Sequence, residues 1–453
     1  MADAFSTETI DQIAKRSNEP EWLTELRHRA WATHVGLPWP HKSDDVWRRT
    51  DVALLDPTKN FLPVQPGLLQ SIPVTESRLA ELTQPLGDEQ LAARANGAWL
   101  TETPHGIVIE ELGRAARTFP DPIRQALEAD GLTMAEQKLA SLNAAFHHDD
   151  LYVQVPAHFS SAQPFRLIRL FSLSAGQAVF PMTIITVGAG SSVTLIDEYL
   201  SSEAAASPDS TSGRRPERSR RTAFREPHLV HGRIELVLER DASVHYVRLQ
   251  RWDANAREFL LQRATLASGA TLTMANINLG AALSKAHVVA RLTGEGASTK
   301  LYGFVFGHGT QHVDQHTLQD HQAPHTSSDL QFRAALQDES RMVYTGLIRI
   351  AKQAKQTNAY QANHNLLLSR TARAETIPML EILADDVQCK HGASIGPIDD
   401  EQAFYLMSRG VPREAAQRLI VMGFIEPIIQ QVPFAPLQER LRREIEGELQ
   451  TVR

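Results

Sequence analysis

A short motif returns along the middle of this chain: an apolar residue, a small or polar turn, then a run of alternating character. It reads Val187-GAGSSVTL, Leu238-ERDASVHY, Leu266-ASGATLTM and Leu292-TGEGASTKL. The last three copies begin 28 and 26 residues apart. The 51-residue gap before them holds an insertion of about 25 residues, and removing it restores the same period. A steady period in this range, carried by strands with no helix between them, arises when each repeat stacks on the one before and buries a continuous core. Sandwiches and jelly rolls space their turns similarly, but the constancy of the period puts a parallel β-helix ahead of both.

The repeats lie within a longer stretch, about Asp150 to Gly396, where β-branched and aromatic residues alternate two-fold between Gly, Ser, Asn and Asp. The flanks read as helical. In EPEWLTELRHRAWATHVG, Pro20 suits a helix start, Trp22, Leu23, Leu26, Ala30 and Trp31 recur at helical spacing, and Gly36 suits the stop. Further helices are expected over Glu89–Ala95 and Asp121–Phe146, with an irregular Pro-rich passage from Pro38 to Pro73. After Gly396, Asp399 or Asp400 can cap EQAFYLMSR, Gly410 ends it, and Pro412 opens REAAQRLIVMGFIEPII. A last helix, PLQERLRREIEGELQ, offers the i,i+4 pairs Glu439–Arg443, Arg440–Glu444 and Arg442–Glu446. Three such helices cannot form a core alone, so they must pack on the solenoid or on another protein. The expected division is 1–147 mostly helical, 148–398 β-helix, and 399–453 helical.

Composition narrows the class. Hydrophobic residues are 42% and charged residues 22% of 453, as in soluble globular chains. With 46 basic and 53 acidic residues the net charge is −7, which gives no general electrostatic reason to bind nucleic acid or an anionic membrane. The longest apolar runs, such as Leu419 to Ile425, fall short of the roughly 18 residues of a membrane span. The opening MADAFSTETI has neither a basic n-region nor an apolar h-region, so a cytoplasmic protein is expected. One cysteine, Cys389, forms no internal disulfide and excludes a self-contained multi-cysteine metal or cluster site. The insertion from Ser201 to Glu226 carries six arginines, yet its Ser/Ala/Pro composition reads as a solvated low-complexity loop rather than a nucleic-acid patch.

Two segments hold residues that can carry chemistry. HGTQHVDQHTLQDHQAPH contains His308, His312, His316, His321 and His325, with His312 and His316 on one face in either regular structure. No HExxH accompanies them, and the simpler expectation is histidines stacked on solenoid rungs. In Glu381-ILADDVQCKHGASIG, a strand places Asp385, Val387, Cys389 and His391 on one face. Carboxylate, thiolate and imidazole are ligand types for iron, zinc or a cluster, but two or three of them leave the shell incomplete. The remaining ligands would come from another chain. A Cys–His nucleophile pair lacks an orienting third group, and no P-loop, GxGxxG or GxSxG motif occurs.

The run QHVDQHTLQDHQAPHTSSDLQFRAALQDESRMVYTGLIRI, then QTNAYQANHNLLLSRTARAETIPMLEILADDVQCKHGASIG and DDEQAFYLMSRGV, resembles the SufB/SufD family of the SUF iron–sulfur assembly machinery. The resemblance is strong from about Val289 to Ile429 and weaker at EPEWLTELRHRAW and VWRRTD. SufB subunits usually carry several cysteines and Cys-x-His-Glu-Ala; the single cysteine and Cys389-Lys390-His391-Gly392-Ala393 here look like SufD. The resemblance implies a right-handed parallel β-helix between helical ends, and a complex with SufB and the ATPase SufC. In that complex the β-helix edges of SufB and SufD pair, and the C-terminal helices, with Phe404, Leu406, Leu419 and Phe424 as the apolar contacts, dock SufC. His391 and Cys389 would then help hold iron or a nascent cluster shared with SufB, with Asp385, His312 and His316 as weaker metal candidates. On this reading the chain is a non-catalytic scaffold with no nucleotide site, ATP hydrolysis belonging to SufC. Two rivals are a β-helix enzyme acting on polysaccharide and a homodimeric scaffold working without SufB. The arginine-rich insertion at 201–226 departs from that resemblance, which assigns it no role.

Overall fold

Val187, Leu238, Leu266 and Leu292 lie in one column across neighbouring strands. The column continues through His321, Ile350 and Ile382. The sequence repeat is therefore the rung repeat of a parallel β-solenoid of about seven turns. The computed structural model describes residues 4–44, 46–64, 74–128, 133–201 and 227–450. Consecutive strands alternate between two sheets. Leu151–Val155, Met182–Val187, His228–Leu238, Ala256–Leu266, Leu283–Leu292, His312–His321, Arg341–Ile350 and Arg373–Ile382 run parallel in the first. Phe165–Phe171, Ser192–Ser201, Ser243–Arg251, Thr271–Asn278, Ser298–Gly307, Ser327–Leu336, Thr357–Leu367 and Val387–Pro397 form the second.

The turn residues of the motif have a geometric cause. Gly190, Asp241, Gly269 and Gly296 all take positive φ as the chain passes from the first sheet to the second. At Gly269 a Cβ would stand 2.1 Å from the Asp241 carboxylate of the preceding rung, so only glycine fits. Two-fold alternation then sends one set of side chains into the lumen, where Val230, Leu260, Val288, Leu272, Leu301 and Leu330 belong to one buried cluster. The other set faces outward and is covered. The first sheet meets the N-terminal helices Thr7–Arg16 and Met134–Phe146, with Ile10, Leu139 and Phe146 against Phe259, Leu261 and Leu283. The second sheet meets Arg413–Ile429 and Ala435–Gln450, with Val421, Ile425, Leu437 and Leu441 against Val247, Ile277 and Phe304.

The lumen is not wholly apolar. Arg169 and Asp197 pair within it at 2.9 Å, and Asp197 also accepts from the hydroxyls of Tyr199 and Tyr246 at 2.9 and 3.0 Å. A second pair, Arg248 and Glu258, lies nearby and takes in the Trp252 indole N–H at 2.8 Å. A buried charge is tolerated when it is paired. Each carboxylate here has several partners, while Arg169 Nε and Nη1 and Arg248 Nε have none among the described residues.

Helix Glu21–Gly36 forms within the bounds that Pro20 and Gly36 set. Asp400–Ser408 is capped by Asp399, whose carboxylate accepts from the backbone of Glu401 and Gln402. Of the expected helix pairs, Arg440–Glu444 forms at 3.5 Å, whereas Arg442 turns to Glu426 of the preceding helix. Two expectations need correction. Glu89–Ala95 is not helical: Gln90–Ala95 is a strand, parallel to Phe165–Phe171 and antiparallel to Ala98–Trp99. Pairing with an open sheet edge outweighs the helix preference of its alanines. Asp121–Phe146 is two helices, Pro120–Leu127 and Met134–Phe146, the second opening on a capping box of Thr133 and Glu136. The arginine-rich insertion, apart from Ser201, lies outside the described residues.

The two ends of the solenoid differ. At the first rungs, short antiparallel strands close both sheets: Val108–Glu111 beside Leu151–Val155, and Ala98–Trp99 beside Gln90–Ala95. Ile107, Ile109 and Trp99 join the luminal cluster there. At the last rung, Arg373–Ile382 and Val387–Pro397 each pair on one side only among the described residues.

Candidate functional site

The open rung carries both residues of the Cys-x-His motif. Cys389 is in register with Ala359, and His391 with Gln361. Ala359 and Gln361 are fully buried in the lumen, and side chains in register on parallel strands share a face. Cys389 and His391 therefore belong to the luminal face of the final rung. Cys389 is half-buried against a small cluster with Ile348, Ile350 and Ala359. Burial pushes its thiol pKa up, against the opposing effect of the Ala359 backbone. A thiol so placed is protonated at neutral pH until a metal or a positive charge arrives. His391, one step further along the face, is exposed.

Beneath this rung lies a polar floor. The Gln361 Nε2 donates to the Gly346 carbonyl at 3.1 Å, and the Tyr344 and Thr317 hydroxyls bond at 2.8 Å. Thr376, in register with Tyr344, presents a buried hydroxyl that has no hydrogen-bond partner among the described residues. Around the mouth, Met379, Leu380, Ile382, Leu383 and Ile395 are all more than a third exposed, Leu383 reaching 60%. A thiol and an imidazole thus line an opening rimmed by apolar side chains and by two strand edges unpaired among the described residues. Such edges are templates for another chain unless something covers them.

Asp385 does not join them. The strand begins at Val387, so Asp385 falls in the exposed bend between the last two strands. The five histidines do not form one cluster either. His308 and His325 sit at turns and His321 points into the lumen, bonded to Thr326 and Ser328 at 2.8 Å. His312 and His316 share the outer face, as alternation requires, but beneath the N-terminal region. His316 stacks on His287 and contacts Asp314 at 3.0 Å. Asp314 is already held by Lys285 at 2.7 Å and by Thr50. Burial raises the Asp314 pKa, yet the Lys285 and His316 charges outweigh this and hold it well below the ordinary carboxylate range. Burial lowers His316 to about 4 and lowers His312 as well. The acid a cation would need is thus spent on lysine. Glu19, His147 and Asp150 also bring ligand-type atoms within 4.8 Å of one another. Arg27 fills the middle of that group, 2.6 Å from Glu19 and 3.0 Å from the His147 ring, and supplies the positive charge itself.

At the C-terminal helices the four apolar contacts separate. Phe404 and Leu419 are 70% and 55% exposed, joined at the surface by Tyr405 and Met407. Leu406 is half-buried, and Phe424 packs against the solenoid with its ring under the Arg333 guanidinium. The open helix Asp400–Ser408 buries only Ala403. Sequence reasoning missed Gln361, Tyr344 and Thr376. Carrying the repeat two rungs beyond its last clear copy would have found Gln361, which lies 30 positions before His391.

The fold is thus a parallel β-solenoid whose last rung presents a thiol and an imidazole on its luminal face. Residues 170–424 match the family model described as SUF system FeS cluster assembly, SufBD core domain. The chain belongs to that family. It is 24% identical to the iron–sulfur cluster assembly SufBD family protein of Staphylococcus epidermidis, over 97% of this chain and 93% of the relative. The corresponding Staphylococcus aureus protein (strain MRSA252) is 25% identical over the same shares. No helix among the described residues is long and apolar enough to cross a membrane.

Proposed function

We propose that this chain is a SufD-type scaffold subunit of the iron–sulfur assembly machinery. It pairs through its open rung with a SufB-type chain, and iron or a nascent cluster is held at the junction as cargo. The observation that carries this is the last rung itself. Cys389 and His391 face the mouth of the lumen, two long strand edges lack partners among the described residues, and Met379, Leu380, Leu383 and Ile395 are exposed. Two ligands suit a shared site, since neither a thiol nor an imidazole alone completes an iron or cluster shell. The exposed Phe404, Tyr405 and Leu419 suit an ATPase subunit of the SufC type as the second partner. The chain itself carries no catalysis. The polysaccharide reading has less support, because helices cover the outer sheet faces along which a saccharide would lie.

The test is co-expression with SufB-type and SufC-type partners, anaerobic purification, and measurement of subunit stoichiometry. One copy of this chain with one SufB-type chain supports the proposal. A chain that purifies only with a second copy of itself, leaving the SufB-type partner free, supports the homodimeric scaffold instead.

A further inference from the structure

We propose that Gln361 is a positioning residue for His391, holding its imidazole in one tautomer so that the other nitrogen faces out of the mouth as a ligand. This rests on the reading of His391 as an iron-facing residue. Gln361 and His391 are register partners on adjacent strands, so their luminal side chains stand about 4.8 Å apart at the backbone. Gln361 is completely buried. Its amide orientation is fixed by chemistry, because the group facing the Gly346 carbonyl at 3.1 Å must be the NH₂. The amide oxygen is left as the free acceptor: no described residue donates to it, His391 included, so the bond forms when the exposed imidazole turns inward onto it.

The surroundings are built to keep that oxygen where it is. A Cβ at residue 346 would stand 2.6 Å from it and 2.7 Å from the Tyr344 hydroxyl, so glycine there makes room for both. The Tyr344 hydroxyl is engaged with Thr317 at 2.8 Å. Thr376, on the opposite sheet, has an unpartnered hydroxyl and is the competing donor. A neutral imidazole has one N–H and one lone pair. Donating the N–H to Gln361 leaves the lone pair directed to the opening. Ligating histidines ordinarily give their second nitrogen to such an acceptor, and removing it typically weakens metal binding 10–100-fold.

The experiment uses the full-length, metal-free chain labelled with ¹⁵N at histidine, at neutral pH. The His391 signals are those lost in His391→Ala. The wild-type imidazole is expected in one dominant N–H form. Gln361→Met should turn it into the mixture of a free imidazole, while Gln361→Glu, which keeps an oxygen at the same reach, and Thr376→Val should leave it unchanged. A mixture already in the wild type, or an unaltered tautomer in Gln361→Met, overturns the proposal. So does a tautomer lost in Thr376→Val alone. Should Gln361→Met fail to fold, the wild-type and Gln361→Glu spectra still decide. In the anaerobically purified complex, Gln361→Met should weaken Fe²⁺ retention about tenfold or more. If His391→Ala leaves iron unchanged, the iron-facing reading falls whatever the tautomer shows, so the two failures are distinct.

Discussion

The two ends of the solenoid are built from the same repeat and finished in opposite ways. At the first rungs the edges are blunted by strands of two to four residues, Ala98–Trp99 and Val108–Glu111, running antiparallel to their neighbours. Behind them the lumen is locked by the Arg169–Asp197 pair. At the last rung two strands of 10 and 11 residues end in open edges, with apolar side chains in solvent and a Cys-x-His motif at the mouth. Short edge strands and covered ends are how a β-protein avoids unwanted pairing. Leaving one end long and apolar while closing the other gives a single rung that can pair with another chain, which is what the proposed function uses.

The largest effect that sharpens this contrast lies at the closed end. Asp197→Ala leaves Arg169 buried without its carboxylate and also removes the acceptor of Tyr199 and Tyr246. A loss of about 3–5 kcal/mol is expected in urea unfolding, as for other broken buried pairs. A loss below about 1 kcal/mol would show that the luminal charges are solvated rather than locked.

Next comes acid. Burial lowers the pKa of His231 to about 3 and of His316 to about 4, both on the outer face under the N-terminal region. An unfolded imidazole titrates near about 6.5. Below that value the unfolded chain binds protons that the folded chain refuses, so stability falls as the pH drops from about 6.5 towards 4. At Glu136, burial raises the pKa but the His287 contact outweighs it and brings the carboxyl to about 2. Its contribution is present above the ordinary carboxylate pKa and is lost as pH falls towards about 2, in the same direction. Melting temperature measured from pH 7 to 4 should therefore decline throughout, and His316→Asn should flatten the upper part of that decline. A profile unchanged by the substitution would remove His316 from the cause.

At the open end the expected effects on folding are small and those on assembly large. Leu383→Glu with Ile395→Lys places charges on exposed positions, so stability should move by no more than about 0.5 kcal/mol. Binding to a SufB-type partner, read by size-exclusion chromatography, should be lost. Full binding would move the junction elsewhere. Phe404→Asp with Leu419→Asp should likewise spare the fold and the SufB-type partner while releasing a SufC-type ATPase. Phe424 is the contrasting site: it packs on the solenoid under Arg333, so Phe424→Ala should cost stability as well.

Much of this arrangement could be read before any coordinates. The apolar residue heading each motif marks a column of the lumen, because the turn that follows demands positive φ and so tolerates few residue types. Strand alternation also placed Cys389 beside His391 correctly. What was hidden depended on partners distant in sequence. Gln90–Ala95 looks helical from its alanines and becomes a strand because Phe165–Phe171 offers an edge. Asp385 was assigned to the strand because nothing local marks the bend before Val387. The luminal pairs join residues 28 and 10 positions apart across different rungs, and no composition or short motif announces them. His312 and His316 look like ligands until Lys285 and Thr50 are seen to have taken Asp314.

The central claim is that the open rung handles iron while the rest of the solenoid holds it in place. The most direct measurement is iron and acid-labile sulfide per anaerobically purified complex, for wild type and His391→Ala, alongside the melting temperature of each. His391 is exposed, so its replacement removes no buried side chain from the rung. The complex should therefore form with an unchanged melting temperature but hold clearly less iron, with Cys389→Ala showing a smaller loss. A His391→Ala complex that keeps its full iron, or one that fails to fold, would contradict the assignment of this end to cluster assembly.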